Sequence, residues 1–237
     1  MSGYFARWLP FHGRNWPYEE RSFWPTVSTM YTPPHNRQDD PQAVFAFMRE
    51  FPFAAVVTSG EAGLMATHIP LTVDGTGDSY RISGHLAKAN PQAAQLAGGT
   101  EVMAIFSAPH GYVSPSNYEP GMWVPTWNYV AVHAYGRPVV IDDRAGKLAV
   151  LARSIAAHDP SYQAEFDAFQ PEYVDAKLKG IVAFEIAVSR VDARWKVSQD
   201  RQPAERERIS LALKLSSDPS AQRLVEYMDH SAPVPAQ

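Results

Sequence analysis

Residues 84–92, Gly84-His-Leu-Ala-Lys88-Ala-Asn90-Pro91-Gln92, carry the strongest anion-binding chemistry in the chain. They lie between a strand-like run and a helical one, where Asn90 can cap the helix and Pro91 suits its first position. Free N–H groups and the helix dipole make such a start favourable for a phosphate, and Lys88 and His85 stand just upstream, within reach of its oxygens. The same residue types also suit a solvated lysine and a hydrogen-bonded strand histidine, so these nine residues alone leave both readings open.

Two further stretches offer surfaces for a planar ligand. Between Gly63 and Leu71 the chain alternates, with Thr67 and Ile69 facing one way and Ala66, His68 and Pro70 the other. A flavin ring needs amides and a few polar groups along its pyrimidine edge and apolar or aromatic groups against its faces, a mixture that two neighbouring strands can supply. For His68 alone, an ordinary hydrogen-bonded histidine is the simpler reading. In the run from Thr126 to Ile141, Trp127, Tyr129, Ala131, His133 and Tyr135 share one face, while Asn128, Val130, Val132 and Ala134 share the other. The valine and alanine row is core. The aromatic row suits a cofactor wall, a subunit interface, or both.

Other chemistries find no support. There are no cysteines, which removes disulfides, thiolate nucleophiles and cysteine-ligated metal centres. No Gly-x-Ser-x-Gly elbow, Walker loop, Gly-x-Gly-x-x-Gly turn or His-Glu-x-x-His pair is present, so hydrolase, dinucleotide-fold and zinc readings rank low and no metal is expected. The acidic residues are scattered over expected helix surfaces, and no catalytic carboxylate pair can be named. With 21 basic and 25 acidic side chains the formal charge is -4, so the whole-chain field does not draw the protein to nucleic acid.

The elements that must position these residues follow from the pattern. Asp40-Pro41 predicts a capped helix to about Phe51, with Val44, Phe45, Met48 and Phe51 as its core face. Strands are predicted at 54–59, 64–73, 80–87, 101–107, 111–114 and 126–141, with a short helix from Pro91 to about Leu96. Residues 142–180 read as a helical excursion, residues 181–188 and 190–198 as strands, and residues 202–215 and 218–228 as C-terminal helices. Strands joined mainly by turns point to a mainly β, α+β fold built on an antiparallel barrel, not to βαβ units. The domain is placed at 30–215, between an extension at 1–29 and a C-terminal helix and tail at 216–237. The extension reads either as a segment without a chemical role, with translation beginning at Met30, or as an aromatic arm that packs on a partner subunit. No apolar run reaches the roughly 18 residues of a membrane span.

Seven runs in order carry a family resemblance: Met30-Tyr-x-Pro-x-His35, Ala66-Thr-His-Ile-Pro70, residues 84–92, Tyr112-Val-Ser-Pro-Ser116, Val124-Pro-Thr-Trp-Asn-Tyr129, Val132-His133 with Gly136, and Trp195-Lys-Val-Ser-Gln199. From Met30 to about Leu213 the chain resembles the PaiB family, described as FMN-binding negative transcriptional regulators. The resemblance implies a flavin split barrel, related to pyridoxamine 5'-phosphate oxidase, that binds FMN at the interface of a cytoplasmic homodimer. It implies Lys88, with His85 and Asn90, at the flavin phosphate, and Thr67 and His68 at the ring or ribityl chain. It also implies Thr126, Trp127 and Asn128 against the flavin from the neighbouring strand, with Trp195, Ser198 and Gln199 closing the site. The chain departs from the family pattern at Asn117, where tryptophan is usual, at Asn36, at Asp200, and at Arg208, where glycine is usual.

The resemblance implies repression of transcription through promoter DNA, although no helix-turn-helix pattern is present. The alternative is a flavin-dependent oxidoreductase of the pyridoxamine-phosphate-oxidase or NAD(P)H:flavin type, or a haem-handling protein on the same fold.

Overall fold

The computed structural model describes residues 30–76 and 79–231. The expected extension at 1–29 and the end of the tail lie outside the described residues. Asp40 opens α1 (Pro41–Glu50), its carboxylate accepting from the Gln42 N–H at 2.9 Å, as the Asp-Pro pair predicts. The helix buries Val44, Phe47 and Met48. Phe47 was absent from the expected core face, whereas Phe45 and Phe51 pack half-buried at its edge.

Seven antiparallel strands follow: β1 (Phe53–Gly60), β2 (Gly63–Pro70), β3 (Thr72–Thr76), β4 (Ser79–Ala87), β5 (Val102–Val113), β6 (Thr126–Ile141) and β7 (Ile181–Lys196). Their order in the sheet is β2-β1-β5-β6-β7-β4-β3. The two edge strands are therefore β2 and β3, yet only Leu71 separates them in sequence. A flat seven-stranded sheet would hold its edges roughly 29 Å apart, and the two steps from Pro70 to Thr72 span at most about 7 Å. The sheet must roll until its edges approach each other, which gives a barrel split along one side. Leu71 is the corner: its N–H donates to the Pro52 carbonyl at 2.9 Å and its side chain is buried in the core. The single strand expected at 64–73 is thus two strands on opposite edges.

Two other pairs of expected strands are continuous. β5 runs through Ala108 and Pro109, where a register shift between Ser107 and His110 absorbs a residue that cannot donate to the ladder. β7 runs through Ser189, left over where β6 shifts register between Tyr135 and Gly136. In β6 the predicted core row Asn128, Val130, Val132 and Ala134 is fully buried; on the other face Trp127 is half exposed, but Ala131 and Tyr135 are buried as well.

The helices cover the barrel. α2 (Gln92–Ala97) closes the end near β1 and β2, and α3 (Arg144–His158), α4 (Gln163–Asp167) and α5 (Pro171–Leu178) form the excursion between β6 and β7. Asp143 caps α3, accepting from the Gly146 N–H at 2.8 Å. α6 (Pro203–Lys214) opens with a Gln202/Glu205 capping box. α7 (Pro219–Asp229) buries Ala221, Leu224, Val225 and Met228 in the same core as the strands. The boundary drawn at 215/216 in the sequence therefore falls between two helices that share one core. Among the described residues, no helix is long and apolar enough to cross a membrane.

Candidate functional site

One group of candidate residues gathers at the split of the barrel. Asn90 lies just ahead of α2, where its Oδ1 accepts from the Gln92 N–H at 2.9 Å and its Nδ2 donates to Thr67 Oγ1 on β2 at 3.0 Å. The asparagine thus starts the helix, as its type and position predict, and also fixes the Thr67 hydroxyl. Gln92, which the sequence reading did not single out, is fully buried. Its Nε2 donates to the Val56 carbonyl at 2.8 Å, to Thr58 Oγ1 at 3.1 Å and to the Met65 carbonyl at 3.2 Å, so it clamps α2 onto the β1–β2 hairpin. His85 is half-buried on β4. Lys88 is exposed just beyond β4, anchored through its backbone N–H to the Gly180 carbonyl at 2.8 Å. His68 projects from the opposite face of β2, stacked with Phe53 at 6.1 Å.

Burial lowers the pKa of His85, and it lowers that of His133 on β6 against the opposing pull of Asp192. Burial thus favours the neutral form of both rings. Because the folded-state pKa values lie below the unfolded value of about 6.5, the unfolded chain binds more protons as the pH falls through that value. Stability is therefore expected to be full above about pH 6.5 and to decline below it. Melting temperatures at pH 7.5 and 5.5 check this: the gap should narrow in a His85→Gln/His133→Gln double variant.

The second group lies where β6 begins and β7 ends. Asn128 and Ser198 are buried and satisfy each other, Asn128 Nδ2 donating to Ser198 Oγ at 2.9 Å and Ser198 Oγ donating to Asn128 Oδ1 at 3.2 Å. Ser198 holds a left-handed backbone (φ 60°). Gln199 Oε1 accepts from the Val197 N–H at 2.9 Å and its Nε2 donates to the Trp195 carbonyl. The Trp195 indole packs against Phe47 and Tyr227, with centroids 5.3 and 6.1 Å away. These four residues form a self-satisfied floor. Thr126 and Trp127 stand above it, with half-exposed Trp127 beside His110 and Tyr112.

Three cations close to these residues, Arg194 and Lys196 on the face of β7 opposite to Trp195, and Arg201 in the turn beyond, went unremarked in the sequence. Lys196 Nζ donates to the Trp127 carbonyl at 2.8 Å and to Thr126 Oγ1. The Arg201 guanidinium lies 4.1 Å from the ring centroid of Tyr118 and 4.8 Å from that of Trp123, and Arg194 lies 5.3 Å from that of Tyr129. None of the three forms a salt bridge among the described residues. Burial, then the charges of Arg194 and Arg201, lowers the Lys196 pKa against the opposing pull of Asp200. Alternation along β7 could have paired Arg194 with Lys196. Arg201 joins them only through the turn at 197–201.

Register separates the two groups within one chain. Thr67 pairs with Val56, Val56 with Ala104 and Ala104 with Ala134. Trp127 lies seven residues further along β6, about 14 Å across the sheet and about 24 Å along it.

A family described as "Putative FMN-binding domain" matches residues 30–190, more than half of the chain. The curated protein "Protease synthase and sporulation protein PAI 2" of Bacillus subtilis is 33% identical over 202 residues, which cover 84% of this chain and 97% of that protein. The chain belongs to the PaiB family. An uncharacterised protein of Emericella nidulans is 28% identical over 204 residues, covering 68% of this chain and 81% of its own. Among solved structures, the flavocytochrome Anf3 of Azotobacter vinelandii superposes with a TM-score of 0.54 at 17% identity, covering 67% of this chain and 68% of its own. The FAD and haem binding protein of Mycobacterium smegmatis gives 0.50 at 19%, covering 68% and 73%. The fold of this PaiB chain is that of the flavin-binding split barrels.

Two departures from the usual PaiB pattern meet in space. Arg208 Nε donates to the Asn117 carbonyl at 2.9 Å and its NH2 donates to Glu119 at 2.7 Å. The Asn117 amide turns back to the Ser114 carbonyl at 3.2 Å. Where the PaiB pattern has an indole and a glycine, this chain has a small amide and a long guanidinium, and the guanidinium bonds to the Asn117 backbone carbonyl, not to its amide. Asp200 stands near Lys196 and Arg201, and Asn36 is buried in the short turn ahead of α1.

Proposed function

We propose that this chain is an FMN-binding flavoprotein whose site is completed by a second copy of itself, with PaiB-type negative regulation of transcription as its role in the cytoplasm. One observation carries the flavin reading. Three cations that form no salt bridge among the described residues stand against an aromatic surface: Lys196 donates to the Trp127 carbonyl, Arg194 lies over Tyr129, and Arg201 lies over Tyr118 and Trp123. Mutually repelling cations beside an aromatic surface suit a planar ring that bears a phosphate. A buried Arg194 Nε and a buried Tyr118 hydroxyl, both without a hydrogen-bond partner, lie in the same neighbourhood.

The residues at the split of the barrel suit the same ligand: a fixed Thr67 hydroxyl, the Asn90 amide, half-buried His85 and solvent-facing Lys88. Because the two groups are far apart in one chain, a single FMN can engage both only between two copies, which supports the homodimer. When bound, FMN supplies the electron chemistry. The chain's own residues hold and orient it and exclude water from one face.

Flavin affinity of variants tests the assignment. Lys88→Ala and Trp127→Ala are each expected to weaken FMN binding about tenfold, the usual scale for one charge-assisted or stacking contact. If both variants bind as the parent does, the site is elsewhere. A flavin-dependent oxidoreductase is the rival reading, favoured by the exposure of Trp127 and Tyr112, which leaves room for a second small molecule over a bound ring. Sustained NADH or NADPH oxidation with an added acceptor supports the enzyme, whereas salt-sensitive retention on promoter DNA supports the regulator.

A further inference from the structure

The helical excursion carries an open cavity that the flavin reading does not use. α3, α4 and α5 surround about 290 Å³, close to the lower end of ligand-binding cavities, which begin at about 300 Å³. Leu151 and Ile155 from α3 form one wall, and Phe166, Phe169 and Tyr173 form the other. Phe169 is held edge-on by three rings, with centroids at 5.9 Å for Phe166, 5.5 Å for Tyr173 and 6.3 Å for Tyr162. Such T-shaped contacts fix ring orientation, so the aromatic wall is preformed and presents further ring edges and faces. These rings are not sealed in a core: Tyr173 is 52% exposed.

The charge at the cavity has one sign. Lys177 lines it, its Nζ 5.0 Å from the Tyr173 ring centroid, and forms no salt bridge among the described residues. No acidic residue lines the cavity. Four carboxylates stand on these helices: Asp175 is directed to Arg144 at 2.6 Å and Asp167 to Gln163 Nε2 at 2.7 Å, and neither Glu165 nor Glu172 lines the cavity. Ser154 adds one hydroxyl to the lining. A neutral apolar ligand would leave the lysine unmatched, and a dianion would bring a charge without a partner. The volume accepts one or two fused rings.

We propose that this cavity binds a small aromatic monocarboxylate, its ring against Phe166, Phe169 and Tyr173 and its carboxylate on Lys177.

Titration calorimetry of the full chain with 2-naphthoate, and with 2-naphthamide as its neutral counterpart, tests the proposal. The acid should bind saturably and about tenfold more tightly than the amide, the scale of one partly exposed charge-assisted contact. Lys177→Met should bring the acid down to the affinity of the amide. Ser154→Trp should fill the cavity and abolish binding of both probes. Lys177→Met changes an exposed side chain and keeps the test valid if Ser154→Trp lowers the melting temperature. Absence of binding by either probe, equal affinity for acid and amide, or unchanged binding by a folded Ser154→Trp variant overturns the proposal. So does a change of oligomeric state in Ser154→Trp, which would mean that a second copy covers this face.

Discussion

Replacing Trp195 with alanine is expected to destabilise the protein by about 3–5 kcal/mol, the range for removing a large aromatic side chain from a packed core. The indole lies between Phe47 of α1 and Tyr227 of α7, so its loss opens a cavity where two helices meet β7. Little nearby can collapse into that space, because Val197 and Met48 are already fully buried and the turn beyond β7 is pinned by the Asn128–Ser198 pair. The same turn carries Arg201, so the cationic surface should loosen as well. Urea denaturation measures the first effect. Trp127→Ala provides the contrast: that indole is half exposed, and its removal should change stability by less than about 0.5 kcal/mol while weakening flavin binding. Equal stability losses in the two variants would count against the packing described for β7.

Gly136→Ala is expected to be comparably damaging, at about 3 kcal/mol or more, for a different physical reason. A Cβ at this position would lie 2.2 Å from the Ala187 carbonyl oxygen and 2.7 Å from Ile186 Cγ2. The oxygen belongs to the backbone of the paired strand, so no rotamer change relieves the clash. β6 and β7 would have to separate at the register shift where Ser189 is already left over. Gly63→Ala serves as the control. Its φ of 87° makes any side chain unfavourable, yet nothing lies within 4 Å of the added Cβ. Its cost should stay near 1 kcal/mol. A Gly136→Ala protein as stable as Gly63→Ala would show that β6 and β7 are not paired in this register.

Both cases show what the sequence made legible. Strict alternation along β6 sorted its residues onto two faces correctly, because the side-chain period of a strand is two and one face is buried. Asp40, Asp143 and Asp218 announced helix starts, since a short acidic side chain satisfies N–H groups that the helix itself leaves free. The split of the barrel was not legible as geometry. It depends on Leu71 turning between opposite edges of the sheet, and nothing in a run that reads as one strand marks that corner.

The candidate site was legible unevenly for the same reason. Asn90 and Thr67 were each picked out, but their hydrogen bond joins residues 23 apart in the chain. The family resemblance implied Trp127 against the flavin and Trp195 closing the site, whereas packing buries Trp195 and exposes Trp127. Lys196, Arg194 and Arg201 escaped notice because a lysine and two arginines are unremarkable until the fold sets Lys196 on the Trp127 carbonyl, Arg194 over Tyr129 and Arg201 over Tyr118 and Trp123. The Arg208–Asn117 contact brings two departures from the family pattern together in space, through the backbone carbonyl of residue 117, which the sequence could not show.

The central claim is that FMN binds this chain, and fluorescence titration of the flavin with purified full-length protein tests it most directly. The account predicts saturable quenching, one FMN per chain, and a yellow protein that sediments as a dimer. A colourless protein that leaves FMN fluorescence unchanged at flavin concentrations on the order of 1 mM, where even weak complexes form, would contradict it.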